Sequence, residues 1–589
     1  MCVVQRAAAE LLGFACVAAL ATWPLVLHLA SIDRPSDPSQ DEYVFYWNYW
    51  WMKKALVEQG VNPLFCSQIF YPYGTSLAVT PLTFVFCVLS LPFTIGLAMP
   101  AALFFVTKLF IFITYPLAAH GTYRLLLAMG VPRPGALAGA LLYAFAPFRM
   151  VHLVRLHYLC SFWVPYCLLA FWRVAQELTF RRVLLGGITL ALLGMSDLSL
   201  LPELLFALAA LWITHGIVQR CLWRSAARMA VAGLAGVLLF APLLVPIVRE
   251  LHTNPAADVS PRIAVTGEPS DLQLLLSPDV NNLAFLLAPD THLALLGPDS
   301  ELARGARFNR QIYGELHAGT GNGAAQAGLG LALIVAVLGL GGIALRERSK
   351  WPFGVIALLG AVFALGPYRT WSGHPVTMPF HYLSMILPGL KASRYPATFL
   401  RLTNLGLAVL AASGLCRIAP RVRWGALGLA LAWLVACMLR PIGFEPIVFE
   451  AVHRPIIADP VAGTVLELPP DTEQMRRRSA FGMILHEKPL LGAPITRVRP
   501  EALEFFNDTP VCRRLLAPPP PNALDSPRVQ REMKENRAVF DRYRLRYIVG
   551  RPALFKDDPR LRTDLIAYLR AHDRITVQEF GSFFLARLD

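Results

Sequence analysis

Residues 229–248 read MAVAGLAGVLLFAPLLVPIV, twenty consecutive positions without Asp, Glu, Lys or Arg. An α-helix needs about 20 apolar residues to cross the hydrocarbon core of a bilayer, so this stretch is long enough to span one. Seven further charge-free apolar runs occupy 134–148, 156–172, 183–196, 318–345, 351–368, 402–416 and 424–439. The whole chain of 589 residues is 55% hydrophobic and 16% charged, with a mean hydropathy of +0.49. A soluble globular chain is about a quarter charged and rarely tolerates such runs. An ordinary soluble enzyme and a disordered chain are both excluded, and the pattern reads as a polytopic α-helical membrane protein.

Apolar patterning predicts eleven transmembrane helices, near 7–30, 100–123, 134–149, 156–175, 183–197, 199–218, 228–248, 325–345, 352–367, 398–416 and 424–440. The first follows a single Arg6 and has no clear small-residue cleavage site, so it reads as a retained helix. With a cytoplasmic N-terminus the inner connections carry Arg124 and Arg133; Arg173, Arg181 and Arg182; Arg220, Arg224 and Arg228; Arg346, Arg348 and Lys350; and Arg417, Arg421 and Arg423. Cytoplasmic loops favour Lys and Arg, so this orientation fits. The apolar segment 78–98 is broken by Pro81 and Pro92; a full crossing there would turn every basic loop outward, so it reads as a juxtamembrane or re-entrant helix, a true crossing being the alternative.

The transmembrane unit then covers 1–440, with outer segments 31–99, 249–324 and 367–397, and 441–589 forms a C-terminal extracytoplasmic α/β domain. In that tail, β-rich runs at 463–468 (GTVLEL), 546–549 (RYIV) and 575–588 alternate with helical stretches near 527–543 and 559–572. The formal charge of +15 is divided among the basic inner loops, an outer basic cluster and the tail, and the expected partners are membrane lipids and no nucleic acid. Ten cysteines show no CxxC pair and no metal-type spacing. The layout places the chain in the cell inner membrane.

The first outer loop, residues 31–77, reads SIDRPSDPSQDEYVFYWNYWWMKKALVEQGVNPLFCSQIFYPYGTSL. Asp41 and Glu42 directly precede an aromatic segment, 43–51, which reads as an interfacial anchoring helix. On spacing alone the two carboxylates are a solvated loop or a helix cap as readily as a catalytic pair. Arg149, His152, Arg155 and His157 fall within nine residues at the outer junction of two predicted helices. They suit a phosphate, which Arg binds bidentately, or they snorkel to lipid headgroups. Arg394 and Arg401 flank the outer start of the helix at 398–416, and Asp197 and Glu203 sit at an outer turn where Asp197 is also a natural cap. Glu315 and His317 precede the predicted helix at 325.

The acidic pair after the first helix, Asn62-Pro63-Leu64-Phe65, Tyr71-Pro72-Tyr73-Gly74, the run from Ala144 to His152 and Arg394-Tyr395-Pro396 together resemble the multi-spanning GT-C glycosyltransferases of bacteria. That resemblance implies transfer of a sugar from a polyprenyl-phosphate donor to a glycan, lipid or protein acceptor on the outer face of the membrane. It implies Asp41 as general base, taking the proton of the attacking hydroxyl, and Glu42 as its orienting partner, a sugar ligand or a metal ligand. A divalent cation, Mg or Mn, would suit two carboxylates, although two ligands do not make a site. Arg149, His152, Arg155, His157, Arg394 and Asp197 are the candidates for the carrier phosphate and substrate. A lipid or polysaccharide transporter or flippase is the competing expectation; the predicted spans carry few ionisable residues away from their ends, which disfavours ion coupling. A non-catalytic cell-envelope assembly protein is a third.

Overall fold

The computed structural model describes residues 3–36, 40–254, 339–371, 374–387, 396–418, 442–469, 473–493, 498–555 and 558–589, and positions 390, 428 and 495. The expected helix at 424–440, most of that at 325–345, and Glu315, His317 and Arg394 lie outside the described residues.

Among the described residues four helices are long and apolar enough to cross a membrane: Ala101–Ala128, Leu156–Gln176 (taken through a short 3-10 turn), Leu200–Val218 and Leu222–Thr253. The last holds the sequence quoted first, and its 32 residues rise about 48 Å at 1.5 Å each. Val231, Leu234, Leu238 and Val245 are exposed along it and form a continuous apolar face. The segment 78–98 forms one helix, Phe84–Gly96, whose 13 residues rise about 20 Å, short of a crossing. The expected span 134–149 is shorter than its pattern: Arg133–Ala144 ends before Pro147, which opens a separate short helix, Pro147–Val151. The first helix likewise runs only Val3–Ala21 and gives way to turns around Pro24, which has no amide to continue the ladder.

Helix contacts rely on small residues. Trp351–Ala364 and Leu400–Leu415 meet through reciprocal glycines: a Cβ on Gly360 would lie 2.7 Å from the Thr403 nitrogen, and one on Gly406 would lie 2.6 Å from the Phe353 carbonyl. Such contacts let backbones approach where lipid offers no hydrophobic drive to associate. The basic connections converge. Arg182 and Arg228 donate to carbonyls of residues 173–177, Lys350 donates to the Met129 carbonyl, and Arg417 pairs with Glu347.

The β-rich runs of the tail form a four-stranded sheet in the order Thr464–Leu468, Leu545–Gly550, Phe583–Leu588, Ile575–Phe580, the first pair parallel and the others antiparallel. Helices Pro527–Arg542 and Pro559–Arg570 supply Phe540, Leu565 and Leu569 to one face. Val465, Tyr547, Val549 and Leu585 on the other face belong to the same continuous core as the membrane helices. Alternation along each strand makes this double burial possible.

The aromatic helix Glu42–Lys53 corrects one expectation. Tyr43, Phe45, Tyr46, Trp47, Tyr49, Trp50 and Trp51 are buried, so the helix is a packing element rather than an interfacial anchor. The physical reason is a cover the loop sequence does not contain. Helix Glu473–His486 lays Phe481 against Tyr43, Tyr46 and Phe104, and Met483 accepts a 3.4 Å hydrogen bond from Trp47 Nε1.

Candidate active site at the junction of the first outer loop and the C-terminal domain

Asp41 occupies the N-terminal edge of helix Glu42–Lys53 and makes no capping hydrogen bond. Its carboxylate instead lies between two guanidinium groups, Arg155 Nε at 2.8 Å from Oδ2 and Arg477 Nη2 at 2.8 Å from Oδ1. Arg155 comes from the turn that follows Pro147–Val151, and Arg477 from the first turns of Glu473–His486 in the tail. Burial raises the Asp41 pKa, but Arg477 and then Arg155 outweigh it and hold the carboxyl below its ordinary value. The side chain stays 16% exposed, enough for a small group to reach it.

Arg155 lies over the Tyr158 ring at 5.8 Å, and Arg401 lies over the same ring at 5.5 Å. Tyr158 thereby links two charged groups. Arg401 pairs with Glu203 (Nε to Oε2, 3.1 Å) and with Asp197 (Nη1 to Oδ2, 3.5 Å). Asp197 accepts the Ser199 amide at 2.9 Å and its hydroxyl at 2.8 Å, so it is both a cap for the turn before Leu200–Val218 and an ion-pair partner. His157, half-buried beside Phe45 and Tyr158, lies within electrostatic reach of both Asp41 and Asp197. Asp197 in turn borders a small, partly open cleft of about 40 Å³, otherwise lined mainly by apolar groups such as Leu64, Leu77, Leu82, Met195, Phe240 and Ile247.

The sequence-predicted residues therefore separate. Asp41 and Arg155 form an ion pair, and His157 lies within electrostatic reach of Asp41 and of Asp197, which borders the cleft. Arg149 is elsewhere: its guanidinium donates to the carbonyls of Ala144, Leu159 and Thr114 and to the Ser161 hydroxyl at 2.7–3.1 Å, fully buried. His152 turns inward, its Nδ1 2.7 Å from the Phe148 carbonyl oxygen. Glu42 is buried and takes a 2.6 Å bond from Arg34, which also reaches Glu445 at 3.0 Å. The acidic pair thus divides, one carboxylate toward the site and one toward the domain junction. Arg34 faces Glu42, and Arg155 and Arg477 face Asp41.

Arg477 was not legible as a site residue. It sits in the run Arg476-Arg477-Arg478 of a normally charged tail, and nothing local to it points at a loop more than 400 positions earlier. Lys108, about two turns into Ala101–Ala128, finds its partner in the same loop, 2.8 Å from Asp33 Oδ1 and 2.7 Å from the Ser31 carbonyl.

No protein-family model matches the chain, and no curated protein matches it by sequence. Solved structures do. The apo oligosaccharyltransferase of Archaeoglobus fulgidus is 12% identical, with 97% of this chain and 73% of that chain covered at a TM-score of 0.52. The AglB oligosaccharyltransferase of the same organism, in complex with an inhibitory peptide and a dolichol-phosphate, aligns over 97% of this chain and 72% of that one at 12% identity and a TM-score of 0.50. ArnT from Cupriavidus metallidurans, bound to undecaprenyl phosphate, covers 98% of this chain at 10% identity, with a TM-score of 0.38 that is too low to bear on the fold. The chain shares the fold of the archaeal oligosaccharyltransferase.

Proposed function

We propose that the chain is a GT-C-type glycosyltransferase of the cell inner membrane that moves a sugar from a polyprenyl-phosphate donor to a glycan, lipid or protein acceptor on the outer face. The observation that carries this reading is the clamp on Asp41: a partly exposed carboxylate held between two arginines, one from the membrane unit and one from the C-terminal domain. Helix Leu222–Thr253 lines the cleft with Phe240, Leu243 and Ile247, and turns its exposed apolar residues Val231, Leu234, Leu238 and Val245 to the opposite side.

The clamp has a chemical consequence. A carboxylate held below its ordinary pKa is a weak base, so Asp41 gains basicity only when an arginine leaves it. A donor phosphate is the natural competitor, because guanidinium groups bind phosphate in charge-assisted pairs. With Arg155 or Arg477 drawn onto the phosphate, one of the two charges that lower the Asp41 pKa is withdrawn and the opposing effect of burial gains weight. The acceptor hydroxyl then attacks the anomeric carbon, its proton passes to Asp41, the bond from that carbon to the phosphate oxygen breaks, and the polyprenyl phosphate leaves with the electron pair. The anomeric carbon is inverted, and oxocarbenium character is stabilised by nearby carboxylate charge.

The fold neighbours, described as an oligosaccharyltransferase apo and with dolichol-phosphate, support this reading over a transporter. The test is transfer of labelled sugar from a polyprenyl-phosphate donor by the purified chain in lipid. Asp41→Asn should lower the rate by roughly 10²–10⁴-fold, the span of general acid–base catalysis, while chromatographic behaviour stays unchanged. A fully active Asp41→Asn protein removes Asp41 from the mechanism.

A further inference from the structure

The C-terminal domain contains a second cluster of charged and ligating groups, about which the glycosyl-transfer reading says nothing. His453 ends a short 3-10 turn, Glu467 lies on the first strand of the sheet, and His486 ends the helix Glu473–His486. All three are buried, at 3%, 7% and 6% exposure. Each offers one ligand atom, and these atoms lie within 4.8 Å of one another. Burying polar atoms without partners is costly, so partnerless groups converging on one point call for an explanation. Here His453 Nδ1, Glu467 Oε1 and His486 Nε2 are all buried without a hydrogen-bond partner.

The opposite sides of two of these groups are occupied. Glu450 sits 3.2 Å from His453 Nε2, and Arg551 Nε (2.7 Å) and the Ser479 hydroxyl (3.0 Å) bond Glu467 Oε2. A carboxylate on the far nitrogen of a histidine fixes its tautomer and leaves the other nitrogen as an acceptor, the arrangement that orients metal-binding histidines. The helix backbone leaves room at this point. A Cβ on Gly482 would lie 2.6 Å from His453 Cε1 and 3.0 Å from Glu467 Oε1, so any side chain there would fill the space between the two groups.

We propose that His453, Glu467 and His486 bind a divalent transition-metal ion of the zinc class. Two imidazoles and one carboxylate are a donor set for zinc, with one position left for water. Zinc bonds of about 2.0–2.1 Å in tetrahedral geometry put ligand atoms about 3.3 Å apart, so side-chain shifts of the order of 1 Å close the site. His486 Nδ1 accepts the Lys488 amide at 3.0 Å, which puts the ring proton on Nε2 in the ion-free chain. Coordination through Nε2 therefore moves that proton to Nδ1 and releases the Lys488 amide. The ion would tie the segment around 453 and the end of helix Glu473–His486 to the sheet.

The test uses the tag-free full chain in detergent, stripped with a chelator, dialysed against zinc chloride and measured by elemental mass spectrometry and thermal denaturation. One retained zinc per chain with a raised Tm is expected, and His453→Asn/His486→Gln should abolish both while eluting as a single species. Zinc retained at the same stoichiometry by that folded double variant would overturn the assignment, as would a wild-type chain that retains none. If the double variant does not fold, cobalt(II) added to the stripped wild-type chain decides: intense visible bands of a four-coordinate site support the proposal, and their absence ends it. Transfer activity enters neither readout, so the result stands apart from the glycosyltransferase reading.

Discussion

Arg155 and Arg149 are six residues apart and chemically identical, yet the structure gives them different work. Arg155 holds a partly exposed carboxylate, whereas Arg149 ties together backbone carbonyls of three segments. Substituting each should therefore fail differently. Arg149→Ala leaves buried acceptors without a donor, at about 1–3 kcal/mol apiece, and should appear as lost folded yield and a lower Tm in detergent. Arg155→Ala should leave the Tm close to wild type and raise the donor KM by roughly 10–100-fold, the equivalent of a charged hydrogen bond worth about 1.5–3 kcal/mol. The clamp on Asp41 also makes a pH prediction with a definite sign. In the free enzyme the two arginines depress the Asp41 pKa, so the acid limb of kcat/KM should lie below the ordinary carboxylate range. With donor phosphate bound and an arginine withdrawn, the acid limb of kcat should lie at higher pH. Coincident limbs in the two profiles would remove the exchange of partners from the mechanism.

At the scale of elements, the informative case is the helix Glu42–Lys53. Its position after the first helix and its helical character are legible in the sequence; its burial is not, because the aromatic residues that bury it meet Phe481 and Met483, which local pattern cannot connect to them. The division of the acidic pair has the same origin: consecutive helical residues point about 100° apart, and only the placement of Arg34, Arg155 and Arg477 decides which carboxylate faces the site. Spans were easier to read as apolar mass than as helices, since Pro24 and Pro147 end helices inside runs that composition alone would continue. Phe481→Ala tests the packing of this element. It should cost about 3–5 kcal/mol, the usual range for removing a buried aromatic, and lower transfer as well, since Arg477 rides on the same helix. Thermal melts alongside activity at a temperature well below the Tm separate the two effects.

At the scale of the whole molecule, the basic connections bond one another's helix ends, and the C-terminal sheet shares a core with the membrane helices. If those loops face the cytoplasm, a cysteine introduced at Ser349 should react with impermeant maleimide only in inverted vesicles, and one at Asp525 only in right-side-out cells. Both labelling from the same side would refute the orientation. The shared core bears on synthesis. Trp47 and Met483 are partners separated by 436 residues, which at about 5–20 residues per second means roughly 20–90 s between the emergence of one and the other. Through that interval the aromatic face of Glu42–Lys53 has been made and has no permanent cover. The nascent chain must keep several tryptophan and tyrosine rings from adhering to other things until its own tail arrives, and any slowing of elongation between the two lengthens that exposure in direct proportion.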